Sequence, residues 1–184
     1  MSEEEHLIQM FIALNDPNIQ DLSEITSQIL EFLDNPESIF LLLQISSSHN
    51  DRRVRHAAMV FSRKYLMSIS KQVSLKVSEP SLEAGQLEYL LPLKEGLLNM
   101  LIEEPEIALK ISICDIIESY AEIIISISTW PEISHFAMNL IQDPNQTLIA
   151  LHLLLRIYMT ISEDEKKAFF LPYAELSLNS LLSE

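Results

Sequence analysis

Signals for the start of a helix recur along this chain at long intervals. A carboxylate stands just ahead of an apolar-periodic stretch at Asp16, Asp51, Glu104 and Asp143. Such a carboxylate can accept the backbone N–H groups that the first turn of a helix leaves without a partner, and proline follows three of the four. The carboxylates lie about 35, 53 and 39 residues apart, the range of repeated helix pairs if the middle interval contains an inserted loop. The spacing predicts an array of helices.

A second series of prolines supports the same interpretation. Pro92, Pro131 and Pro172 recur about 39 and 41 residues apart, and each opens a further apolar-periodic stretch. Two helix starts in each period indicate two helices in each repeat. We therefore expect an all-α fold, a solenoid of about four to five antiparallel helix pairs in a single domain over residues 1–184.

Apolar spacings of three and four residues predict where these helices lie. The segment at about 71–86 is rich in serine and lysine and contains Pro80 and Gly85, so we expect one long loop there. The expected helices cover 4–14, 17–33, 36–47, 52–70, 87–102, 106–127, 131–141, 145–161 and a last segment from about 164.

Glycine and cysteine usage narrows the fold class. The chain has only 2 glycines and no Asn-Gly or Asp-Gly pair, which argues against sheets built from tight hairpins. Its single cysteine, Cys114, cannot form an intrachain disulfide and suits a reducing compartment. Cys114 lies on an apolar helical stripe, so an inert core thiol is favoured over a reactive one.

Charge and hydropathy indicate which partners and which cellular location to expect. The formal net charge of -15 disfavours nucleic acid and favours basic partners, although the acidic residues can equally serve only to keep an apolar solenoid in solution. The longest nearly apolar run, 148–159, is too short to span a bilayer, and the acidic residues 3–5 do not suit a signal peptide. We expect no membrane insertion and a location in the cytoplasm and nucleus.

Residue patterns typical of catalysis are missing from the sequence. With 2 glycines it contains no glycine-rich phosphate-binding loop, and its 5 histidines show no spacing typical of metal ligands. The adjacent acids Glu103 and Glu104 lie at a helix start, where they complement the helix dipole, so they are interpreted as caps. We expect no enzyme, no cofactor and no metal.

Two segments resemble a known family. Residues 51–64 (DRRVRHAAMVFSRK) resemble the helix near the start of importin-β (karyopherin) nuclear transport receptors in which Val-Arg-x-Ala-Ala precedes a basic pair. Residues 130–133 (WPEI) resemble the Trp-Pro-Glu turn that enters a later HEAT repeat of that family. The similarity covers roughly residues 7–160. A tryptophan common after the Val-Arg helix is absent from 66–86, and family members are usually several times longer than this chain.

The resemblance implies HEAT repeats whose inner helices bind Ran-GTP. It also implies basic protein cargo and Phe-Gly nucleoporins as partners, and it places Lys110 on an exposed inner face. Arg55 can instead hold helix-end carbonyls within the fold. The residues expected to contact Ran or another partner are Arg55, Arg63, Lys64, Asp115 and Glu118, and those expected to be structural are Val54, Ala57, Ala58, Trp130 and Pro131.

The sequence therefore predicts a segment of a nuclear transport receptor that binds Ran-GTP and contributes to the import of protein cargo. Two other functions stay open. One is a HEAT-repeat scaffold or adaptor unrelated to Ran, and the other is a regulatory subunit that grips a catalytic partner with the same row of helices.

Overall fold

The computed structural model describes residues 2–76, 84–127, 130, 132–160 and 166. In this part of the chain there are helices and turns but no strand, so the predicted all-α class is confirmed. The α-helices are α1 Glu3–Leu14, α2 Leu22–Phe32, α3 Ser38–Ser48, α4 Arg52–Lys76, α5 Leu93–Glu103, α6 Ile107–Ile127, α7 Glu132–Ile141 and α8 Thr147–Thr160, with a 3-10 helix at Ala84–Leu90.

Contacts divide the chain into two compact units, Met1–Gln72 and Val73–Glu184. In the first unit α1 packs against α2 and α3, and the rings of Phe11 on α1 and Phe61 on α4 are stacked with centroids 5.7 Å apart. In the second unit α5 packs on α6, while both α6 and α7 pack on α8. Helices therefore contact their first and second neighbours along the chain.

A tyrosine contact occurs in the same form in both units. Tyr65 on α4 donates its hydroxyl hydrogen to the carbonyl of Pro36 at 3.3 Å, and Tyr120 on α6 donates to the carbonyl of Leu90 at 2.8 Å. Each carbonyl lies just before the shorter helix of its pair. The two tyrosines are 55 residues apart, as are the starts of α3 and α5 and the starts of α4 and α6. The pair α3–α4 thus matches the pair α5–α6 in the spacing of its helix starts and in this contact.

The predicted capping carboxylates do bond to backbone N–H groups, but most of them shape a turn and do not begin a helix. The bonded N–H belongs to the residue two positions later, at 2.8 to 3.1 Å, a geometry that asparagine and aspartate favour in turns. Only Asp51 is followed at once by its helix, α4. The accepting side chains are the four predicted carboxylates, Asp16, Asp51, Glu104 and Asp143, together with the amide oxygen of Asn35, which was not predicted.

Three of the expected boundaries are wrong. The helix expected over 87–102 begins as an α-helix only at Leu93, because the chain forms a 3-10 helix over Ala84–Leu90 before it. The helix expected from residue 17 begins at Leu22, because Asp16 closes a turn with Asn18 and the chain needs several more residues before α2. The loop expected at 71–86 is helical at both ends, since α4 runs on to Lys76 and a 3-10 helix begins at Ala84. Residues 71–76 contain no glycine or proline that would stop a helix. Residues 77–83 and the predicted last helix beyond Lys166 lie outside the described residues.

Trp130 is part of the core of the second unit, as expected. It is 4% exposed, and its ring meets the edge of the Tyr120 ring with centroids 5.2 Å apart and planes at 89°. This edge-to-face arrangement is the favoured geometry for an aromatic pair. Burial raises the pKa of Tyr120 above its ordinary value, so its hydroxyl remains a donor. Pro131, expected to be structural, lies outside the described residues.

Trp130→Ala tests the role of this ring. Replacing a buried tryptophan with alanine loses the free energy gained by burying the ring and leaves a cavity. We therefore expect the free energy of unfolding to fall by roughly 3 to 5 kcal/mol. Denaturant unfolding measures the loss. Met159→Ala is the control, because Met159 is 71% exposed and its truncation should change stability by less than about 0.5 kcal/mol. A Trp130 variant as stable as this control would contradict the packing described above.

Candidate protein-binding surfaces

Helix α4 concentrates the positive charge of an acidic chain. It holds seven of the 12 lysines and arginines and no aspartate or glutamate, while the whole chain carries a net charge of -15. Like charges on a helix repel one another, so this segregation does not stabilise the helix by itself. Its seven basic residues are Arg52, Arg53, Arg55, Arg63, Lys64, Lys71 and Lys76.

One face of α4 is fixed by apolar packing. Val54 and Ala58 are buried, as the motif predicts, whereas Ala57 is only half-buried. Phe61 and Tyr65 continue this face toward α1 and the start of α3 through the ring stacking and the hydroxyl bond described above. The opposite face of the helix is exposed from Arg52 to Lys71.

The exposed face of α4 forms a continuous stripe, which we call the basic stripe. Its members are spaced four, four, four, three and four residues apart, which keeps them on one side of an α-helix. At 1.5 Å per residue the stripe is about 28 Å long. The stripe consists of Arg52, His56, Val60, Lys64, Met67 and Lys71.

Arg55 and Arg63, both predicted partner contacts, lie beside the stripe and are half-buried. Arg55 Nη1 donates to the carbonyl oxygen of His49 at 3.2 Å, where α3 ends. Basic side chains stabilise the free carbonyls at the C-terminus of a helix. Arg55 therefore has the structural role that the sequence analysis gave as the alternative to a partner contact.

Asp51 begins the helix that bears the stripe. Its Oδ1 accepts the backbone N–H of Arg53 at 2.8 Å, and its Oδ2 lies 2.9 Å from Nη2 of the Arg53 guanidinium. The side-chain hydrogen bond from Arg53, followed by the backbone bond, lowers the pKa of Asp51 to about 2. The cap is consequently charged across the physiological pH range and lost only as the pH falls toward that value.

The other two predicted contact residues, Asp115 and Glu118, lie in an ion-pair cluster between α6 and α8. Arg156 Nη2 is 2.8 Å from Asp115 Oδ1, and Arg156 Nη1 is 3.5 Å from Glu118 Oε2. His152 Nε2 lies 3.8 Å from Asp115 Oδ1 and accepts a hydrogen bond from Arg156 Nε at 3.4 Å. The carboxylate side chains are only 18% and 15% exposed, so the cluster joins two helices of the second unit.

Sequence reasoning did not identify His152 and Arg156 as members of this cluster. The available signal was a pair of polar residues four apart in an otherwise leucine-rich helix, which places both on one face. Such a pair needs polar partners on the neighbouring helix, and α6 supplies them. A contact between a partner protein and the exposed fraction of Asp115 or Glu118 stays a prediction.

Lys110 was expected to be exposed, and that expectation is wrong. Its residue is 5% exposed, and its Nζ donates to Gln146 Oε1 at 3.1 Å and to the carbonyl of Ile102 at 3.4 Å. The first turn of α6 lies close enough to the end of α5 for a long side chain to bridge to it. A buried lysine requires such acceptors, because an isolated buried ammonium is strongly unfavourable.

Cys114 is buried in α6, as expected for a core thiol. Burial, and then the charge of Asp115, raise the pKa of the thiol to about 12. The reactive form of cysteine is the thiolate, so this residue is held in its unreactive form.

Comparison with known proteins identifies no relative. No model of a protein family, no curated protein and no solved structure matches the chain. Within the described residues, no three histidine, cysteine or acidic side chains are grouped so as to hold a metal ion. None of the described helices has both the length and the apolar character needed to cross a membrane.

A double-mutant cycle on Asp115 and Arg156 tests the α6–α8 cluster. The pair is charge-assisted and largely covered, so we expect a coupling energy of about 1 to 2 kcal/mol between Asp115→Ala and Arg156→Ala. Denaturant unfolding of the two single variants and the double variant measures it. The same cycle with the exposed pair Asp51 and Arg53 serves as a comparison. Strictly additive effects of Asp115→Ala and Arg156→Ala would contradict an ion pair that joins the helices.

Proposed function

We propose that the chain is a non-enzymatic HEAT-repeat segment of a nuclear transport receptor of importin-β type. The observation that carries this proposal is that α4 has one face in the core and a basic face on the surface. The Val-Arg-x-Ala-Ala motif places Val54 and Ala58 in the core, and the same helix presents the basic stripe outward. This is the arrangement expected of an inner helix whose exposed face binds a partner.

The helix pairs support a repeat architecture. Contacts between first and second neighbours, within each unit, are those that stacked helix pairs require. The equivalent tyrosine contacts of α3–α4 and α5–α6 favour two copies of one structural repeat. On this proposal the repeats form a solenoid, and each binds partners through its second helix.

Ran-GTP is the proposed partner of the inner helices. Arg63 and Lys64 on α4 are the proposed basic contacts, and the exposed fractions of Asp115 and Glu118 are the proposed acidic ones. Binding is reversible, and it releases import cargo by changing the curvature of the solenoid. Outside α4 the chain has 27 acidic residues against five basic ones, a balance that suits basic protein cargo. Phe-Gly nucleoporins would bind elsewhere along the solenoid.

An adaptor without Ran binding is the second candidate, and the exposed face of α8 favours it. Leu148, Leu151, Leu155 and Met159 are each more than half exposed, although the opposite face of α8 is buried. Helices that are apolar all round are usually covered on both sides. A scaffold or a regulatory subunit of an enzyme would use such a face for a stable protein contact.

Titration calorimetry with Ran-GTP and Ran-GDP separates the two candidates. We expect measurable binding of Ran-GTP, binding of Ran-GDP that is at least about tenfold weaker, and an affinity for Ran-GTP that falls as salt is added. Arg63→Glu should weaken Ran-GTP binding by roughly three- to tenfold, because it reverses a charge at the contact.

Lys94→Glu is the matched control for this experiment. It makes the same change in net charge on α5, a helix that carries none of the proposed contact residues, and should alter the affinity by less than about twofold. Equal affinity for the two nucleotide states, or no binding of either, would overturn the Ran proposal and leave the adaptor.

A further inference from the structure

We propose that the basic stripe and the groove beside it form a docking site for an acidic amphipathic helix of a partner protein. The site is formed by residues of α2 and α4 and of the turn after α2, so the proposal stands whether or not the chain binds Ran. Its test likewise uses no Ran, and its failure would leave the Ran proposal untouched.

The groove lies between the end of α2 and the second half of α4 and has a volume of about 610 Å³. Leu30 on α2 and Met67 on α4 are 40% and 39% exposed, and Leu33 lies beside them. These side chains give the groove an apolar floor large enough to bury one or two leucine-sized side chains. An exposed apolar groove with a polar rim is typical of a surface that binds another protein.

The rim of the groove is basic. Lys64 and Lys71 both line the groove, two turns apart along α4. In the described part of the chain no carboxylate forms an ion pair with either ammonium group. Lys64 Nζ lies 5.6 Å from the centroid of the Phe61 ring, an interaction that leaves its hydrogen-bond donors available. The groove is also lined by the carboxylate of Asp34, on the α2 side. The net charge of the lining is therefore positive in a chain that is strongly negative overall.

The spacing of the stripe indicates a helical occupant. Lys64 and Lys71 are two helical turns apart, about 10 Å, and the apolar Val60 and Met67 alternate with them. A helix lying along α4 would meet this pattern with apolar side chains at i, i+3 or i+4, and i+7, and with acidic side chains flanking them. Recognition of an amphipathic helix in an apolar groove follows this rule. The apolar contacts would in turn discriminate against the many acidic surfaces that lack a matching apolar face.

Fluorescence anisotropy with designed peptides tests the proposal on the full chain. The probe is a labelled helical peptide of about 20 residues with leucines on one face and glutamates on both flanks of that face. Two control peptides separate charge from shape. One has glutamine in place of every glutamate, and the other has the same composition with the leucines scrambled off the common face. We expect both controls to bind at least about tenfold more weakly than the probe.

Matched variants locate the site. Lys64→Glu and Lys71→Glu should each weaken binding of the probe by roughly three- to tenfold, and Lys94→Glu by less than about twofold. Met67→Ala should weaken it by a similar three- to tenfold, while Ile102→Ala, at an apolar residue of α5 that is 55% exposed, should have little effect. Circular dichroism confirms that each variant is folded.

Three outcomes would overturn the proposal. The first is equal binding of the probe and of either control peptide. The second is an effect of the α4 variants no larger than that of Lys94→Glu and Ile102→Ala. The third is displacement of the probe by phosphatidylserine vesicles or a short DNA duplex at a lower concentration than unlabelled peptide, which would assign the stripe to a phosphate-bearing surface.

Discussion

The fold depends on burying one face of each of the long helices α4 and α6. In α4 and in α6 this burial is fixed by a tyrosine that reaches back to the carbonyl at the entry to the shorter helix, Pro36 for Tyr65 and Leu90 for Tyr120. Apolar packing is not directional, whereas a hydrogen bond from a buried hydroxyl sets both the depth and the rotation of the helix. Each long helix is thereby held in one orientation.

That orientation determines which charges are available to a partner. With Val54, Ala58 and Tyr65 turned inward, the basic stripe lies on the exposed side of α4. The charged residues of α6 have a different environment, because Asp115 and Glu118 form ion pairs with Arg156 on α8. The basic stripe of α4 therefore remains accessible to a partner, whereas Asp115 and Glu118 of α6 are largely covered by ion pairs within their own unit.

Sequence reasoning predicted those features that depend on local chemistry. The start of α4 after Asp51, the start of α5 after Pro92 and the burial of Trp130 all follow from capping, proline geometry and apolar spacing. It failed where the outcome depends on a distant partner. The buried position of Lys110 requires Gln146 and the end of α5, and the pairing of Asp115 requires Arg156 from α8. Gln146 is 36 residues from Lys110 in the sequence, and no local pattern identifies such a partner.

The central claim is that α3–α4 and α5–α6 are copies of one helix pair held by the same tyrosine contact. Denaturant unfolding of Tyr65→Phe, Tyr120→Phe and the control Tyr158→Phe measures it most directly, because each change removes only a hydroxyl. The account predicts a loss of about 1 to 3 kcal/mol for Tyr120→Phe, about 0.5 to 1.5 kcal/mol for the less buried Tyr65→Phe, and almost none for the control, whose residue is 44% exposed. Full stability in both Tyr65→Phe and Tyr120→Phe would contradict it.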